Sequence, residues 1–198
     1  QAGSLTSAEI AAMGNVQVAS LTSDVIDNLS DAAVAGITTG QAKLLTSDQL
    51  SALSSSQFVN LSDAGVAVLS SAQFAAISSD VVPHMTTSQV AAINTTTLSQ
   101  LDASAQFATL SSTQIGALSA AQAKSLTSDQ LQALDSAQIL SLTTAAVAAL
   151  SSAQVSGIDS DDFAALSTDQ LRALTTSSIA SLSSDQFSKL DSTQLAAL

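Results

Sequence analysis

Thr46-Ser-Asp-Gln-Leu-Ser-Ala-Leu53 and Asp191-Ser-Thr-Gln-Leu-Ala-Ala-Leu198 are two copies of an eight-residue repeat that fills the chain from Thr6 to Leu198. Its consensus is Ser/Thr/Asp, Ser/Thr, any residue, Gln, a large apolar residue, any two residues and Leu. Twenty-four copies fit, and the one at Asp102–Leu110 has a single extra residue. Tandem repeats this short are typical of solenoids, in which each repeat contacts mainly its neighbours.

The apolar positions predict one short helix in each repeat. Position 8 is Leu, Ile or Met in every repeat, and position 5 is large and apolar except at Ala42 and Ala123. One continuous helix would turn by about 800° over eight residues, so its apolar stripe would drift by about 80° per repeat. In a regular strand, positions 5 and 8 would face opposite sides. Separate helices fit the pattern, with positions 5 and 8 inward and Ser, Thr, Asp and Gln at the rims.

Capping residues and charges mark where each helix begins. Position 1 is Ser, Thr, Asp or Asn in twenty-three repeats, which is the N-cap preference, and Gly14 is the exception. Position 4 is Gln in fifteen repeats and Glu9 in another, which completes a capping box with position 1. Fifteen of the sixteen acidic residues lie at positions 1–4 and all four basic residues at positions 6 or 7, as the helix dipole favours. The sequence therefore predicts an all-α solenoid of very short capped helices.

Two longer periods are superimposed on the repeat. Gln alternates with other residues at position 4, which predicts a two-helix structural unit of sixteen residues. At an offset of 81 residues, Gln41-Ala-Lys43 recurs as Gln122-Ala-Lys124. We expect a single repeat array over residues 1–198, with a partial block at 1–37 and two ten-helix blocks at 38–118 and 119–198.

Both ends of the chain lie close to the repeat register. This predicts one apolar cross-section around Leu198 and a complementary one near Leu5 and Ile10. Two unlike complementary ends form a contact that repeats from copy to copy. We therefore expect end-to-end self-association, either as a homopolymer or as the continuation of a larger chain.

The composition excludes several classes of partner and site. The net charge is −12, with four Lys and Arg, which disfavours nucleic acid and anionic membrane surfaces. The absence of Cys excludes disulfides, thiolate nucleophiles and Cys-ligated metals. The longest apolar run, Ala145–Leu150, is too short for membrane insertion.

Two segments carry residues typical of functional sites. The only His, His84, follows the only Pro, Pro83, and we expect a local helix distortion there, because Pro removes a backbone donor. A catalytic His would need a nucleophile and an orienting acid, but the nearby Ser and Asp stand at positions that capping already explains. Asp159-Ser-Asp-Asp162 offers oxygen ligands suited to Ca²⁺, but Asp159 and Asp161 are the acids expected at any helix start in this repeat.

Asn28, Asn60 and Asn94 match the N-glycosylation pattern. For the first two, the repeat itself produces the match, because an Asn at position 7 is followed by Leu and then Ser or Thr. Taken together, the candidates predict no catalytic, cofactor-binding or metal-binding residues, no cofactor and no enzymatic activity.

Leu126-Thr-Ser-Asp-Gln-Leu-Gln-Ala-Leu134 resembles the LTxxQ(L/I/V/F)xAL octapeptide-type repeat tracts of very large bacterial surface and secreted, adhesin-like proteins. The resemblance covers nearly the whole chain. It implies an extracellular or cell-surface location and a structural or adhesive role in a Gram-negative bacterium, and it brings no site residues with it.

Two functions remain open. One is an extracellular structural repeat protein that forms a stalk, fibre or filament on the bacterial surface. The alternative is an adhesin-type binding module that presents the solenoid surface to a protein or glycan partner. A binder is expected to carry exposed aromatic or Arg anchors, whereas this chain has no Trp or Tyr and one Arg.

The far-ultraviolet circular dichroism spectrum of the chain is expected to be dominated by helix, because every repeat carries its own helix start. A β-type spectrum with one broad minimum, or the spectrum of a disordered chain, would contradict the helix assignment.

Overall fold

The structure, a computed structural model, describes residues 2–198 and confirms one short helix in each repeat. We number the repeats 1 to 24, from Thr6–Met13 to Asp191–Leu198. Within residues 2–198 there are only helices and the turns between them. The α-helices are α1 (Ser7–Ala12), α2 (Asn15–Ala19), α3 (Ser23–Asp27), α4 (Asp31–Val34), α5 (Thr39–Ala42), α6 (Ser47–Ser51), α7 (Ser55–Phe58), α8 (Asp63–Ala67), α9 (Ser71–Ala75), α10 (Thr87–Ala92), α11 (Thr95–Leu98), α12 (Ser112–Gly116), α13 (Ala120–Ser125), α14 (Ser128–Gln132), α15 (Ser136–Ser141), α16 (Thr144–Ala149), α17 (Ser152–Ser156), α18 (Ser160–Ala164), α19 (Thr168–Ala173), α20 (Thr176–Ala180), α21 (Ser184–Lys189) and α22 (Ser192–Leu195), and the 3₁₀ helices are Ala2–Ser4, Val82–His84 and Phe107–Thr109.

The corner between two helices is made of two extended residues, position 8 and the next position 1. Between α13 and α14, Leu126 has φ −61° and ψ 143°, and Thr127 has φ −78° and ψ 161°. The hydroxyl of Thr127 then accepts a hydrogen bond from the backbone N–H of Gln130, which starts the next helix. No residue from 2 to 198 has a positive φ, so the chain turns these corners without the left-handed conformation that favours glycine.

Two repeats depart from α geometry. Repeat 10 forms the 3₁₀ helix Val82–His84, as expected from Pro83, whose ring nitrogen carries no hydrogen to donate. Repeat 13 has nine residues, and the carboxylate of Asp102 accepts bonds from the backbone N–H groups of Ser104, at 3.0 Å, and Ala105, at 2.6 Å. The extra residue is absorbed in this turn, and Phe107 still lies fully buried.

Positions 5 and 8 form the core, as the repeat predicts. The largest fully buried side chains include Phe58, Phe74, Phe107 and Phe163. The rings of Phe58 and Phe74 meet edge to face, with centroids 6.4 Å apart. Position 5 is not buried in every repeat: the side chain of Phe187 is 39% exposed. The expected apolar cross-section at Ile10 is absent, because Ile10 is fully buried.

Helices stack on those three repeats away. The pairs in extensive contact are α1 with α4, α2 with α5, α3 with α6, α4 with α7, α5 with α8, α6 with α9, α7 with Val82–His84, α8 with α10 and α9 with α11, and further on α12 with α15, α13 with α16, α14 with α17, α15 with α18, α16 with α19, α17 with α20, α18 with α21 and α19 with α22. Some approaches need glycine, since a Cβ on Gly36 of repeat 4 would collide with the backbone of Ser7 in repeat 1.

The predicted two-helix unit of sixteen residues is therefore wrong. The extensive contacts skip the repeat two places away, because each helix turns the chain by too little for it to return after sixteen residues. The alternation of Gln at position 4 does not reflect a helix pair.

The chain divides into two compact units, the first ending at Leu101 and the second spanning Asp102–Leu198. Within each unit the stacking is of the same kind. The duplicated blocks 38–118 and 119–198 describe sequence similarity and stay a prediction.

Leu134→Ala is expected to lower the free energy of unfolding by about 2–5 kcal/mol, because Leu134 is 2% exposed and its loss leaves a cavity. Leu140→Ala is the matched control, since Leu140 is 50% exposed, and it should change stability by under about 1 kcal/mol. Urea denaturation followed by circular dichroism measures both. Equal losses for the two variants would show that position 8 is not the packing position.

Candidate functional site

The residues that the structure brings together are the position-4 glutamines, and they lie inside the stack. The expectation that Gln stands at the rims is wrong, because most of these side chains are buried. The buried ones are Gln41, Gln49, Gln57, Gln73, Gln89, Gln106, Gln114, Gln122, Gln130, Gln138, Gln154, Gln170 and Gln186.

Gln49 of repeat 6 shows what the buried amide does. Its Oε1 accepts a hydrogen bond from the backbone N–H of Thr46, at 2.9 Å, which is the predicted capping box. Its Nε2 donates to the backbone carbonyls of Val18, at 2.9 Å, and Leu21, at 2.7 Å, in repeat 2. One side chain thus caps the start of its own helix and the end of a helix four repeats earlier. We call this arrangement the glutamine clamp.

The clamp recurs along both units. In each case Oε1 accepts from the position-1 N–H, and Nε2 donates to carbonyls at position 8 and at position 5 or 6, four repeats back. The clamps are made by Gln41, Gln49, Gln57, Gln73, Gln89, Gln138, Gln154, Gln170, Gln186 and Gln194. The clamp therefore joins the free donors of one helix start to the free acceptors of another helix end.

The residue type at position 4 carried a signal for this contact. Glu completes a capping box as well as Gln does, yet Glu9 is the single Glu of the chain. The amide differs from the carboxylate in having an N–H₂ group that donates. A preference for Gln over Glu indicates a second, acceptor partner.

In some repeats where position 4 is not Gln, other side chains make hydrogen bonds to repeats three or four places earlier. In repeat 12, the hydroxyl of Thr97 donates to the carbonyl of Leu69, at 3.1 Å, and the amide of Asn94 donates to the same oxygen, at 3.3 Å. In repeat 20, the carboxylate of Asp162 accepts from the hydroxyl of Ser136 in repeat 17, at 2.5 Å. Stacking thus tolerates a minority of other residues at position 4.

His84 lies on the surface and has a local partner. Its Nδ1 is 2.8 Å from the carbonyl oxygen of Asp80, so that nitrogen carries the hydrogen and donates. Pro83, beside it, is also exposed. The bond links the two ends of the distorted repeat 10.

The three aspartates at the start of repeat 20, Asp159, Asp161 and Asp162, have different roles. Asp159 accepts from the backbone N–H of Asp161, at 2.9 Å, as an N-cap. Asp161 pairs with Lys189 of repeat 23 at 2.6 Å, and this hydrogen bond, with the charge of Asp161, raises the pKa of Lys189. Asp162 turns to Ser136. Among residues 2–198 no three acidic or His side chains are grouped as a metal site would need.

The Asn residues of the glycosylation pattern have their amide groups bound to backbone carbonyls. Asn28 donates to Asp24 at 2.8 Å, and Asn60 donates to Ser56 at 2.7 Å. Asn94 donates across the stack to repeat 8. In the described chain, no helix is long and apolar enough to cross a membrane.

The repeat unit itself has a known counterpart. Residues 131–168 and 163–198 each match the ALTTAQ repeat. The letters of that name correspond to positions 7, 8, 1, 2, 3 and 4, as in Ala149-Leu-Ser-Ser-Ala-Gln154. The chain is thus similar to the ALTTAQ repeat over its last third, and the final Gln of the name is the clamp residue. No curated protein matches the chain.

Gln49→Ala is expected to cost about 2–4 kcal/mol of unfolding free energy, because the N–H of Thr46 and the carbonyls of Val18 and Leu21 in repeat 2 lose their partner. Gln132→Ala is the matched control, since Gln132 stands exposed in α14, and should change stability by under about 0.5 kcal/mol. Urea denaturation measures both. Equal effects would show that the clamp contributes nothing to stability.

Gln49→Glu is expected to make stability depend on pH. A protonated carboxyl can accept from Thr46 and donate its one O–H to one carbonyl of repeat 2, whereas the ionised form cannot donate. The pKa of the new carboxyl in the folded state is raised, so the variant is most stable in acid and loses stability as pH rises through that pKa. Parallel denaturation curves of variant and wild type over pH measure this. A constant difference at all pH values would contradict the clamp geometry.

Proposed function

We propose that this chain is a structural repeat protein of the cell exterior, a segment of a stalk or fibre on a bacterial surface. The observation that carries the proposal is the clamp, repeated from repeat to repeat. Within each of the two units, most repeats are held by those three and four places away through the same kinds of contact, so such an array can lengthen by adding repeats. A stalk or fibre requires a protein that becomes longer by adding equivalent repeats.

The residues that sequence analysis singled out support a structural role. His84 binds its own repeat, and Asp161 and Asp162 hold repeats 17, 20 and 23 together. Buried side-chain polar atoms of the described residues all have hydrogen-bond partners. Each of these contacts serves stacking or capping.

The alternative, an adhesin-type binding module, has weaker support. Binding surfaces are enriched in exposed aromatic and Arg anchors. Arg172 is already paired with Asp169 at 3.2 Å, and four of the five Phe side chains are fully buried. The fifth, Phe187, lies at position 5 of repeat 23 and is 39% exposed.

The extracellular location is supported by the chain's composition and by its resemblance to repeat tracts of large bacterial surface proteins. A chain without Cys forms no unwanted disulfides in an oxidising environment. Its surface is acidic and rich in Ser and Thr, and it carries four basic residues. The ALTTAQ match supports the repeat tract and leaves location to experiment.

Digestion of intact cells that produce the protein, with an externally added protease, tests the location. We expect the protein to be cleaved on intact cells while a cytoplasmic marker survives, because the protease reaches only the exterior. Lysed cells serve as the control in which both are cleaved. If the protein is cleaved only after lysis, the proposed location is wrong.

A further inference from the structure

Repeat 18 has no glutamine clamp to an earlier repeat. Its position-4 residue is Ala146, which is fully buried and has no side-chain donor. Position 146 follows Leu118 by 28 residues, the spacing at which Gln154 donates to the carbonyl of Leu126, at 2.8 Å. Among residues 2–198, no group donates to the carbonyl oxygen of Leu118, although Leu118 is only 2% exposed. A shielded carbonyl without a donor lowers the stability of the structure around it.

Repeat 8 has the same arrangement in the first unit. Its position-4 residue is Gly65, which stands at the offset of 81 residues from Ala146 that relates the similar sequences. The carbonyl oxygen of Ile37, 28 residues before Gly65, accepts no hydrogen bond within the described chain, and Ile37 is 3% exposed. A glycine inside α8 also costs helix stability relative to alanine. Each unit therefore contains a buried helix that lacks the clamp.

Other repeats without Gln at position 4 differ from these two. Repeats 12 and 20 make the substitute bonds of Thr97 and Asp162 described above. In repeat 22, the hydroxyl of Ser181 donates to the carbonyl of Ser152, three repeats earlier, at 3.1 Å. Repeat 10 is a 3₁₀ helix. Among the described repeats 5–24, repeats 8 and 18 are thus the α-helical ones whose side chains make no hydrogen bond to an earlier repeat.

We propose that repeats 8 and 18 are opening points, at which each unit opens locally before its clamped repeats do. To open repeat 19, the bonds from Gln154 to the carbonyls of Ala123, at 3.1 Å, and Leu126, at 2.8 Å, must break. Opening of repeat 18 breaks no bond of this kind, and it lets water donate to the carbonyl of Leu118. The inference goes beyond the proposed function, because it concerns the fold wherever the protein is located.

Clamps on both sides confine the opening. Gln138 of repeat 17 and Gln154 of repeat 19 hold the neighbours of repeat 18 to repeats 13 and 15. Gln57 of repeat 7 and Gln73 of repeat 9 hold the neighbours of repeat 8 in the same way. The helix between two clamps can therefore leave the stack and return in the same register. In a stalk under tension these repeats would open first, and this consequence alone rests on the proposed function.

Native-state hydrogen exchange of the full chain, followed by NMR, compares Val147 of repeat 18 with Val155 of repeat 19. Both are buried valines at position 5, and their N–H groups donate to the position-1 carbonyls of Thr143, at 2.9 Å, and Ser151, at 3.0 Å. We expect the N–H of Val147 to be about tenfold less protected than that of Val155, because fewer bonds hold repeat 18. Equal protection of the two valines would overturn the proposal.

Ala146→Gln tests whether the missing clamp is the cause. The new amide can donate to the carbonyl of Leu118, so the protection of the Val147 N–H should rise about tenfold. Ala145→Gln is the matched control, since Ala145 is exposed at position 3 of the same repeat, and it should leave that protection unchanged. If Ala146→Gln folds and gives no larger rise than Ala145→Gln, the proposal is wrong.

Gln154→Ala is the reverse change, and it decides the question if a longer side chain does not fit at position 146. It removes the donor to Ala123 and Leu126, so the protection of the Val155 N–H should fall about tenfold, while Leu171 in the clamped repeat 21 keeps its protection. Unchanged protection of Val155, or an equal fall at Leu171, would overturn the proposal. None of these results depends on whether the protein is cleaved on intact cells, so the two proposals fail separately.

Discussion

The fold depends on the hydrogen bonds of a buried glutamine amide. Helices of four to six residues consist almost entirely of ends, so most of their backbone N–H and C=O groups have no partner within the helix. An isolated helix of this length is unstable in water. The glutamine clamp satisfies donors at one helix start and acceptors at the end of another helix at the same time. Since an unpaired buried polar group is costly, each clamp also fixes which repeats lie together.

This constraint explains why the core can be thin. Each repeat buries only two large side chains, and the apolar contribution of about 1.5–3 kcal/mol for each is small against the cost of ordering eight residues. Hydrogen bonds between repeats, such as those from Gln170 to repeat 17 and from Gln186 to repeat 19, add to the backbone bonds and the packing within each repeat. The stability of each repeat therefore depends on its neighbours. The acidic and hydroxyl side chains at the helix starts lie on the surface.

Local features of the fold were predictable from the sequence because they depend on residues within three positions of each other. The hydroxyls and carboxylates at position 1, the Oε1 atoms at position 4 and the distortion at Pro83 all act inside one repeat. The partners of Nε2 were not predicted, since Val18 and Leu21 precede Gln49 by 31 and 28 residues. Nothing in a periodic sequence distinguishes the third and fourth neighbour from the second. The exposure of Phe187 also depends on its place in the stack, because Phe163, at the same position 5 of its repeat, is fully buried.

The sequence by itself determined that the protein is an array of short capped helices with positions 5 and 8 inward, because capping and apolar periodicity are encoded in every eight residues. Only the tertiary structure decided that helices within each unit pack on the third neighbour, that most are clamped to the fourth, and that the glutamine at position 4 is buried. These properties follow from the angle through which the chain turns at each corner. That angle is set by two extended residues and by packing against neighbours, and no single repeat contains it.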